Sequence, residues 1–130
     1  MSQFAPQNCR RPHGLAIDAS QHLWVTCEDD AAIVVLDSGT GELLHRFLLE
    51  GDGTHMLLAI DSGKRIVASH LRSKWLTIFD AEDFSNQRKI DIPHGAEGLA
   101  MSKSGRLWVT DPAQGYLTSL DLKTGKIHST

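Results

Sequence analysis

Short apolar runs separated by polar breaks recur along this chain at an interval of about 42 residues. One copy contains four such runs, at residues 15–17, 23–26, 33–36 and 43–49. Runs this short, without helical spacing, are typical of β-strands. Four strands and their turns fit into a unit of about 42 residues, so each copy is predicted to be a four-stranded antiparallel sheet.

The repeat predicts how these sheets are arranged. Equivalent positions return at steps of 43 and then 41 residues, as in the series Trp24, Val67, Trp108 and the series Asp37, Asp80, Asp121. Each copy of such a repeat buries its apolar faces only against its neighbours. The run at 33–36 is apolar at consecutive positions, which indicates a strand covered on both faces. The fold class predicted is therefore all-β, a β-propeller segment of three four-stranded antiparallel blades.

The blades are predicted at about residues 11–50, 51–93 and 94–130, after an irregular segment at 1–10. That segment either adds a closing strand through Phe4 or ends a preceding blade. Asp37 and Asp121 are predicted to form Asx turns closed by a glycine four residues later. Trp24 and Trp108 lie inside strands at equivalent positions, so both are expected to pack between blades.

Three stretches at the blade starts resemble a known family. They read Pro-His-Gly-Leu-Ala-Ile-Asp at 12–18, Gly-Thr-His-Met-Leu at 53–57 and Gly-Ala-Glu-Gly-Leu at 95–99. Together with the Trp-Val-Thr of the first and third copies, they look like YVTN-type, YncE-like propeller repeats and more distantly like NHL and SMP-30/gluconolactonase propellers. The asparagine that ends the YVTN signature is replaced here by Cys27, His70 and Asp111. The resemblance implies a binding or scaffolding protein that is periplasmic or exported.

Composition excludes several classes of protein. The chain has 130 residues, 41% of them hydrophobic, and a net charge of −3 with scattered basic residues, so it lacks the basic stripe that nucleic acid requires. No apolar run approaches the roughly 18 residues of a membrane span. The chain as written does not begin with a secretory signal, which predicts a cytoplasmic location. The family resemblance implies export instead, so the two indications of location differ. Cys9 and Cys27 allow a single disulfide, and their spacing is not that of a zinc ribbon or redox motif.

Three blades are too few to close a ring, since propellers have about four to eight. The outer faces of the first and third blades would otherwise expose apolar surface to water. The expected partners are therefore further blades, from a longer propeller, or a second copy of the chain that completes a six-bladed ring.

Residues that could bind a metal or another ligand are predicted to lie at one rim of the channel. His13, His55 and Glu97 stand 42 residues apart at the starts of the innermost strands, and they are the predicted metal ligands. Residues equidistant from a hairpin turn face each other, which predicts the pairs His13/Cys27, His55/His70 and Glu97/Asp111. The ends of the second strands, with the start of a third, form a predicted ligand-binding rim: Cys27, His70, Asp111 and Trp75.

Several functions remain open for this rim. In one interpretation, the polar residues have a purely structural role and form hydrogen bonds with backbone groups and water in the channel. In the other, they bind a divalent metal, a small anion or a peptide. The chain contains no nucleophile elbow, zincin or P-loop motif, which favours a binding scaffold over an enzyme. The alternatives are a metal-dependent hydrolase of the lactonase type, with Glu97 and Asp111 as carboxylate ligands by resemblance, and a redox or copper protein that uses the histidines. A divalent metal is the one cofactor suggested.

Overall fold

The chain folds into three consecutive antiparallel sheets of four strands each, in a computed structural model that describes residues 9–129. The first sheet contains β1 (Pro12–Ile17), β2 (His22–Cys27), β3 (Ala32–Asp37) and β4 (Leu43–Leu48). The second contains β5 (Thr54–Ile60), β6 (Arg65–His70), β7 (Trp75–Asp80) and β8 (Gln87–Asp91). The third contains β9 (Leu99–Met101), β10 (Arg106–Asp111), β11 (Tyr116–Asp121) and β12 (Ile127–Ser129). Phe4, which was considered for a closing strand, lies outside the described residues.

Each sheet is a meander in which neighbouring strands follow each other in sequence. The first strands of successive sheets, β1, β5 and β9, are in contact and form the inner side of the assembly. This arrangement is the predicted propeller segment of three blades. Single turns of 3-10 helix, Glu28–Asp30 and Asp61–Gly63, follow β2 and β5. Among residues 9–129, no helix has the length and apolar character needed to cross a membrane.

The turns after the third strands have the predicted chemistry. The Asp37 carboxylate accepts hydrogen bonds from the backbone N–H of Gly39 at 2.9 Å and Thr40 at 2.7 Å. Asp121 accepts from Lys123 and Thr124 in the same way. Gly41 closes the first turn at a φ of +74°, a left-handed conformation that favours glycine. The first and third blades therefore share the same hydrogen bonds in the turn that follows the third strand.

Two apolar layers hold the blades together. Trp24, Ile33 and Phe47 of the first blade pack against Ile66 and Phe79 of the second. A second layer joins the middle blade to the third and includes Leu76, Ile78, Leu107, Val109 and Leu120. The β3 strand is buried on both faces, as its consecutive apolar residues predicted. Trp24 is fully buried as expected, whereas Trp108 is 37% exposed because no described residues cover that face of the third blade.

The predicted pairing of the inner hairpins is wrong by one residue in the first two blades. Cys27 pairs with Pro12 rather than His13, and His70 pairs with Thr54 rather than His55. The cause is a bulge at 12–15 and another at 54–57, where the register shifts. An extra residue in one strand reverses the face on which the following side chains lie. The histidines at the strand starts therefore do not face the ends of the second strands.

Candidate functional site

Side chains from the starts of the three inner strands lie next to one another. The His13 and His55 rings lie against each other with centroids 3.9 Å apart and planes 31° apart. The Nε2 atom of His55 lies 4.0 Å from a carboxylate oxygen of Glu97. Of the three residues chosen from the sequence as metal ligands, His55 thus lies next to both His13 and Glu97.

The backbone of the first blade approaches the second closely at this point. A Cβ atom on Gly14 would lie 2.4 Å from the carbonyl oxygen of His55, so only glycine fits without movement of one strand. The Thr26 hydroxyl accepts a hydrogen bond from the Gly14 N–H at 2.6 Å and donates one to the His55 carbonyl at 2.7 Å. This bridge sets the separation of β1 and β5, and with it the separation of the two imidazoles.

A carboxylate that the sequence analysis did not select, Glu28, completes the site. One of its oxygens lies 3.1 Å from Nδ1 of His55, and the other lies 3.7 Å from Nε of Arg11. Glu28 is 7% exposed, at the start of the 3-10 turn that follows β2. His13, Glu28 and His55 each offer a ligand atom, and these atoms all lie within 4.8 Å of one another.

Glu28 is held in its ionised form. Burial works to raise its pKa, but the hydrogen bond with His55 and the positive charge of Arg11 outweigh burial, so the pKa of Glu28 lies below its usual value. A carboxylate beside two imidazoles can coordinate a cation or hold the proton of a histidine. Arg11 also fixes the turn, because its carbonyl accepts a 3.1 Å hydrogen bond from the Glu28 N–H.

Glu28 was missed because candidates were compared only at equivalent positions of the repeat. The positions that correspond to Glu28 are Leu71 and Pro112, neither of which can bind a metal through its side chain. Glu28 also opens the acidic stretch 28–30, which was interpreted as a polar break between strands. Its position was the one available signal, since Glu28 is an acidic residue that directly follows a strand predicted to end at the rim.

Cys27, His70 and Asp111 lie at equivalent strand ends, and each is engaged inside the protein. Cys27 is fully buried and forms a disulfide with Cys9, so it offers no thiolate. His70 is fully buried between Thr54 and Thr77, whose hydroxyls lie 3.0 Å from Nδ1 and 2.8 Å from Nε2. Burial, with a further contribution from the charge of Lys89, lowers the pKa of His70 to about 4, so the ring is neutral.

Asp111 supports the loop that carries Glu97. Its carboxylate accepts a hydrogen bond from the Gly95 N–H at 2.9 Å, and Asp111 is 6% exposed. Asp111 and Glu97 share a cleft of about 250 Å³ between the second and third blades. The cleft is also lined by Leu71, Arg72, Ala96, Pro112 and Ala113. One residue of the predicted ligand-binding rim, Asp111, and one of the predicted metal ligands, Glu97, thus line the same cleft.

Trp75 lines a different cleft, of about 200 Å³, between the outer strands of the first two blades. The Nζ atom of Lys89 lies 4.6 Å from the centre of the indole ring, and Lys89 is paired with Glu50. The buried indole N–H of Trp75 has no hydrogen-bond partner among the described residues. Trp75 therefore does not line the cleft that Glu97 and Asp111 share.

The fold and this rim define the chain as a β-propeller segment with a cluster of histidines and carboxylates at one opening. No protein-family model matches the chain, and no curated protein matches its sequence. Solved structures do match. A catalytically inactive histidine-to-alanine variant of virginiamycin B lyase from Staphylococcus aureus, solved with quinupristin, has a TM-score of 0.82 at 13% identity over 99% of this chain.

Two further structures extend this likeness. The β-propeller domain of Cps50 (Swd1) from Myceliophteria thermophila has a TM-score of 0.75 at 13% identity over 92% of the chain, which covers 42% of that domain. Hydrazine synthase from Kuenenia stuttgartiensis has a TM-score of 0.79 at 9% identity over 98% of the chain, which covers 37% of that protein. The chain also spans only 44% of the virginiamycin B lyase. Likenesses at these identities establish the propeller fold.

Proposed function

We propose that this chain is a propeller binding module that holds a divalent metal at the rim through His13, Glu28 and His55. The observation that carries the proposal is the approach of their ligand atoms to within 4.8 Å of one another. Two imidazoles and a carboxylate are a donor set that suits zinc or ferrous iron. Three protein ligands leave coordination positions open, where a bound molecule can supply the remaining ligand.

The surroundings support coordination at this rim. Zinc takes its nitrogen and oxygen ligands at about 2.0–2.2 Å, so binding requires the three groups to move closer together. His13 is exposed and its ring lies against that of His55, while a contact between Glu28 and His55 holds both of those residues. Glu97, 4.0 Å from His55, lies within reach as a fourth ligand.

The ligand we propose is a small molecule or a protein segment that presents a carboxylate or carbonyl oxygen to the metal. Such oxygens are good ligands for the open positions of zinc or iron sites. The neighbouring cleft contains Glu97, Asp111 and Arg72, and so offers polar contacts beside apolar ones. Pockets of this kind orient a ligand with a few polar groups while most of its contact area is apolar.

Membership of the YVTN-like group and an exported location are part of the proposal. The Cys9–Cys27 disulfide supports export, because disulfides persist mainly in oxidising compartments. The disulfide also involves the residue directly before Glu28, so we expect metal binding to be weaker in the reduced protein.

The test is zinc binding by calorimetry, with metal analysis after dialysis. We expect His55→Ala and Glu28→Gln to weaken zinc binding by at least about 100-fold and Glu97→Gln by about tenfold. His128→Ala is the matched control, since His128 is exposed on an outer strand and should leave affinity unchanged. Retention of less than about a tenth of an equivalent of metal, or an equal loss in the control, would contradict the proposal.

A second candidate function is a metal-dependent hydrolase or lyase that uses the same rim. The open coordination positions favour it, because a metal with three protein ligands can bind and activate water. The likeness to virginiamycin B lyase, in which a histidine-to-alanine variant is inactive, is consistent with histidine chemistry on this fold. Aldonolactone hydrolysis that requires added metal and disappears in Glu28→Gln would support it. Metal binding without hydrolysis of the lactone would contradict the enzyme and favour the binding module.

A further inference from the structure

The cleft that Glu97 and Asp111 share contains charges of both signs beside a mainly apolar wall. Its one cation, Arg72, belongs to the second blade, and its two acids belong to the third. The other lining residues are apolar: Leu71, Ala96, Pro112 and Ala113. Pockets of this composition orient a ligand through a few polar groups and cover the rest of it with apolar side chains. The charged groups therefore indicate what the ligand must carry.

The acidic side of the cleft presents oxygen atoms beside Gly95. A Cβ atom on Gly95 would lie 3.1 Å from the carbonyl oxygen of Leu71 and 3.2 Å from a carboxylate oxygen of Asp111. Any side chain at this position would therefore crowd both oxygens. Glu97, two residues further along, adds a carboxylate whose side chain is 45% exposed. An ammonium group has three N–H donors and no acceptor, so it suits a position lined by carbonyl and carboxylate oxygens.

The guanidinium of Arg72 is held in a fixed orientation and keeps donors for a ligand. Its Nε and Nη2 atoms each donate a 2.9 Å hydrogen bond to the Asp52 carboxylate. Gly53 leaves room for it, since a Cβ atom there would come within 3.0 Å of Nη2. The Nη1 atom takes no part in the pair with Asp52 and carries two further N–H donors. A planar guanidinium of fixed orientation is well suited to bind a carboxylate.

The cleft adjoins the proposed metal site through Glu97. The Glu97 carboxylate lies 4.0 Å from Nε2 of His55, one of the proposed metal ligands. The hydrogen bonds with Asp52 raise the pKa of Arg72, and the negative charge of Glu28 adds to this effect. Arg72 thus lies within the field of a second proposed metal ligand. A molecule bound in the cleft is therefore a neighbour of the metal.

We propose that this cleft binds a free α-amino acid with an apolar side chain, whose ammonium group lies at the oxygens beside Gly95 and whose carboxylate lies at Arg72. This inference narrows the ligand of the proposed function and rests on it. A simple carboxylic acid would leave Glu97 and Asp111 without a counter-charge, and a simple amine would leave the Nη1 donors unused. The cleft volume of about 250 Å³ is below that of sites for drug-sized ligands and suits a molecule this small.

The test is calorimetric titration with leucine and with two analogues that each lack one charge. The dialysed protein is used without added metal, because free amino acids themselves bind zinc. We expect leucine to bind with a dissociation constant of about 1 mM or lower. Isocaproate lacks the ammonium group and isoamylamine lacks the carboxylate, so each should bind at least about tenfold more weakly. Equal affinity for leucine and either analogue would overturn the proposal.

Two variants test the two ends of the ligand. Gly95→Ala places a methyl group against the oxygens, and Arg72→Gln removes the guanidinium, so each should weaken leucine binding at least about tenfold. Arg106→Gln is the matched control, because Arg106 is exposed at the opposite end of the strand that ends at Asp111. Circular dichroism checks that all three variants fold. An equal loss of leucine affinity in Arg106→Gln, or unchanged affinity in both other variants, would overturn the assignment.

A separate zinc titration of the wild-type protein distinguishes this inference from the metal site. Zinc binding without saturable leucine binding up to about 10 mM would overturn the amino acid cleft alone. Leucine binding without zinc binding would overturn the metal site and support the cleft.

Discussion

The Thr26 hydroxyl donates a 2.7 Å hydrogen bond to the carbonyl of His55, and so joins the second strand of one blade to the inner strand of the next. Both groups are buried, and the same hydroxyl accepts the Gly14 N–H. Because His55 is a candidate metal ligand, the contact that holds the blades together also positions the rim.

Replacing Thr26 with valine should therefore cost stability and metal affinity together. Thr26→Val retains the shape but leaves a buried N–H and a buried carbonyl without partners, which costs about 1–3 kcal/mol. Denaturant unfolding should show this loss, and calorimetry should show weaker zinc binding. Thr26→Ser is the control, since Ser69 makes the equivalent bridge with a hydroxyl alone, and it should behave almost as wild type. Equal effects of valine and serine would contradict the role of the hydroxyl.

Gly14→Ala tests the close approach of the two inner strands. The added methyl would meet the His55 carbonyl oxygen at 2.4 Å and the Met56 Cα at 2.9 Å, so β1 and β5 must separate. We expect a loss of roughly 1–3 kcal/mol in the free energy of unfolding, as for other overpacked sites. The wider spacing of His13 and His55 should also weaken zinc binding.

Gly39→Ala provides the comparison for Gly14→Ala. Gly39 lies in an exposed turn, where the nearest atom to an added Cβ is an Asp37 carboxylate oxygen at 3.3 Å. This variant should change stability little and zinc affinity not at all. If Gly14→Ala were as mild as Gly39→Ala, the strands would not be in the contact described.

The architecture could be predicted from the sequence because each copy of the repeat contains turn residues and apolar runs that can be recognised locally. Asp37 and Asp121 mark equivalent corners, and the consecutive apolar residues of β3 mark a strand buried on both faces. Such signals need no knowledge of distant contacts. They were enough to select His13, His55 and Glu97 as equivalent positions, and the structure places His55 next to both of the others.

The details of the rim depend on contacts that the repeat does not encode. The bulges at 12–15 and 54–57 shift the pairing by one residue. They are accompanied by hydrogen bonds that the Gly14 and Met56 N–H groups donate to the Thr26 and Ser69 hydroxyls. Glu28 has no equivalent in the other blades, so a comparison of repeats could not select it. The exposure of Trp108 depends on what covers the third blade, which strand patterns do not show.

Reduction of the Cys9–Cys27 disulfide should loosen the turn that carries Glu28. The bridge spans 18 residues of sequence, and a loop of this size is worth about 3 kcal/mol by the chain-entropy estimate. Thermal unfolding with and without a phosphine reductant should show this loss of stability. Zinc affinity should fall in the reduced protein, because Glu28 directly follows Cys27. Unchanged affinity after complete reduction would show that the contacts with Arg11 and His55 hold Glu28 without the disulfide.

The buried imidazole of His70 predicts how stability depends on pH. Its pKa is lowered to about 4 from an ordinary 6.5, chiefly by burial, so unfolding between these values takes up a proton. Stability should be complete above about pH 6.5, fall as the pH drops toward 4, and level off below it. The full difference is on the order of 3 kcal/mol.

His70→Gln isolates this contribution, because glutamine can reach the Thr77 hydroxyl but does not titrate between pH 4 and 7. The variant should be less stable than wild type at pH 7, and the difference between the two proteins should shrink as the pH falls to 4. The carboxylates and the other histidines titrate in both proteins, so they cancel in this comparison. Denaturant unfolding at intervals of half a pH unit measures the difference directly. A constant difference across that range would mean that His70 accepts a proton in the folded protein as readily as in the unfolded chain. The burial of its ring between Thr54 and Thr77 would then be incorrect.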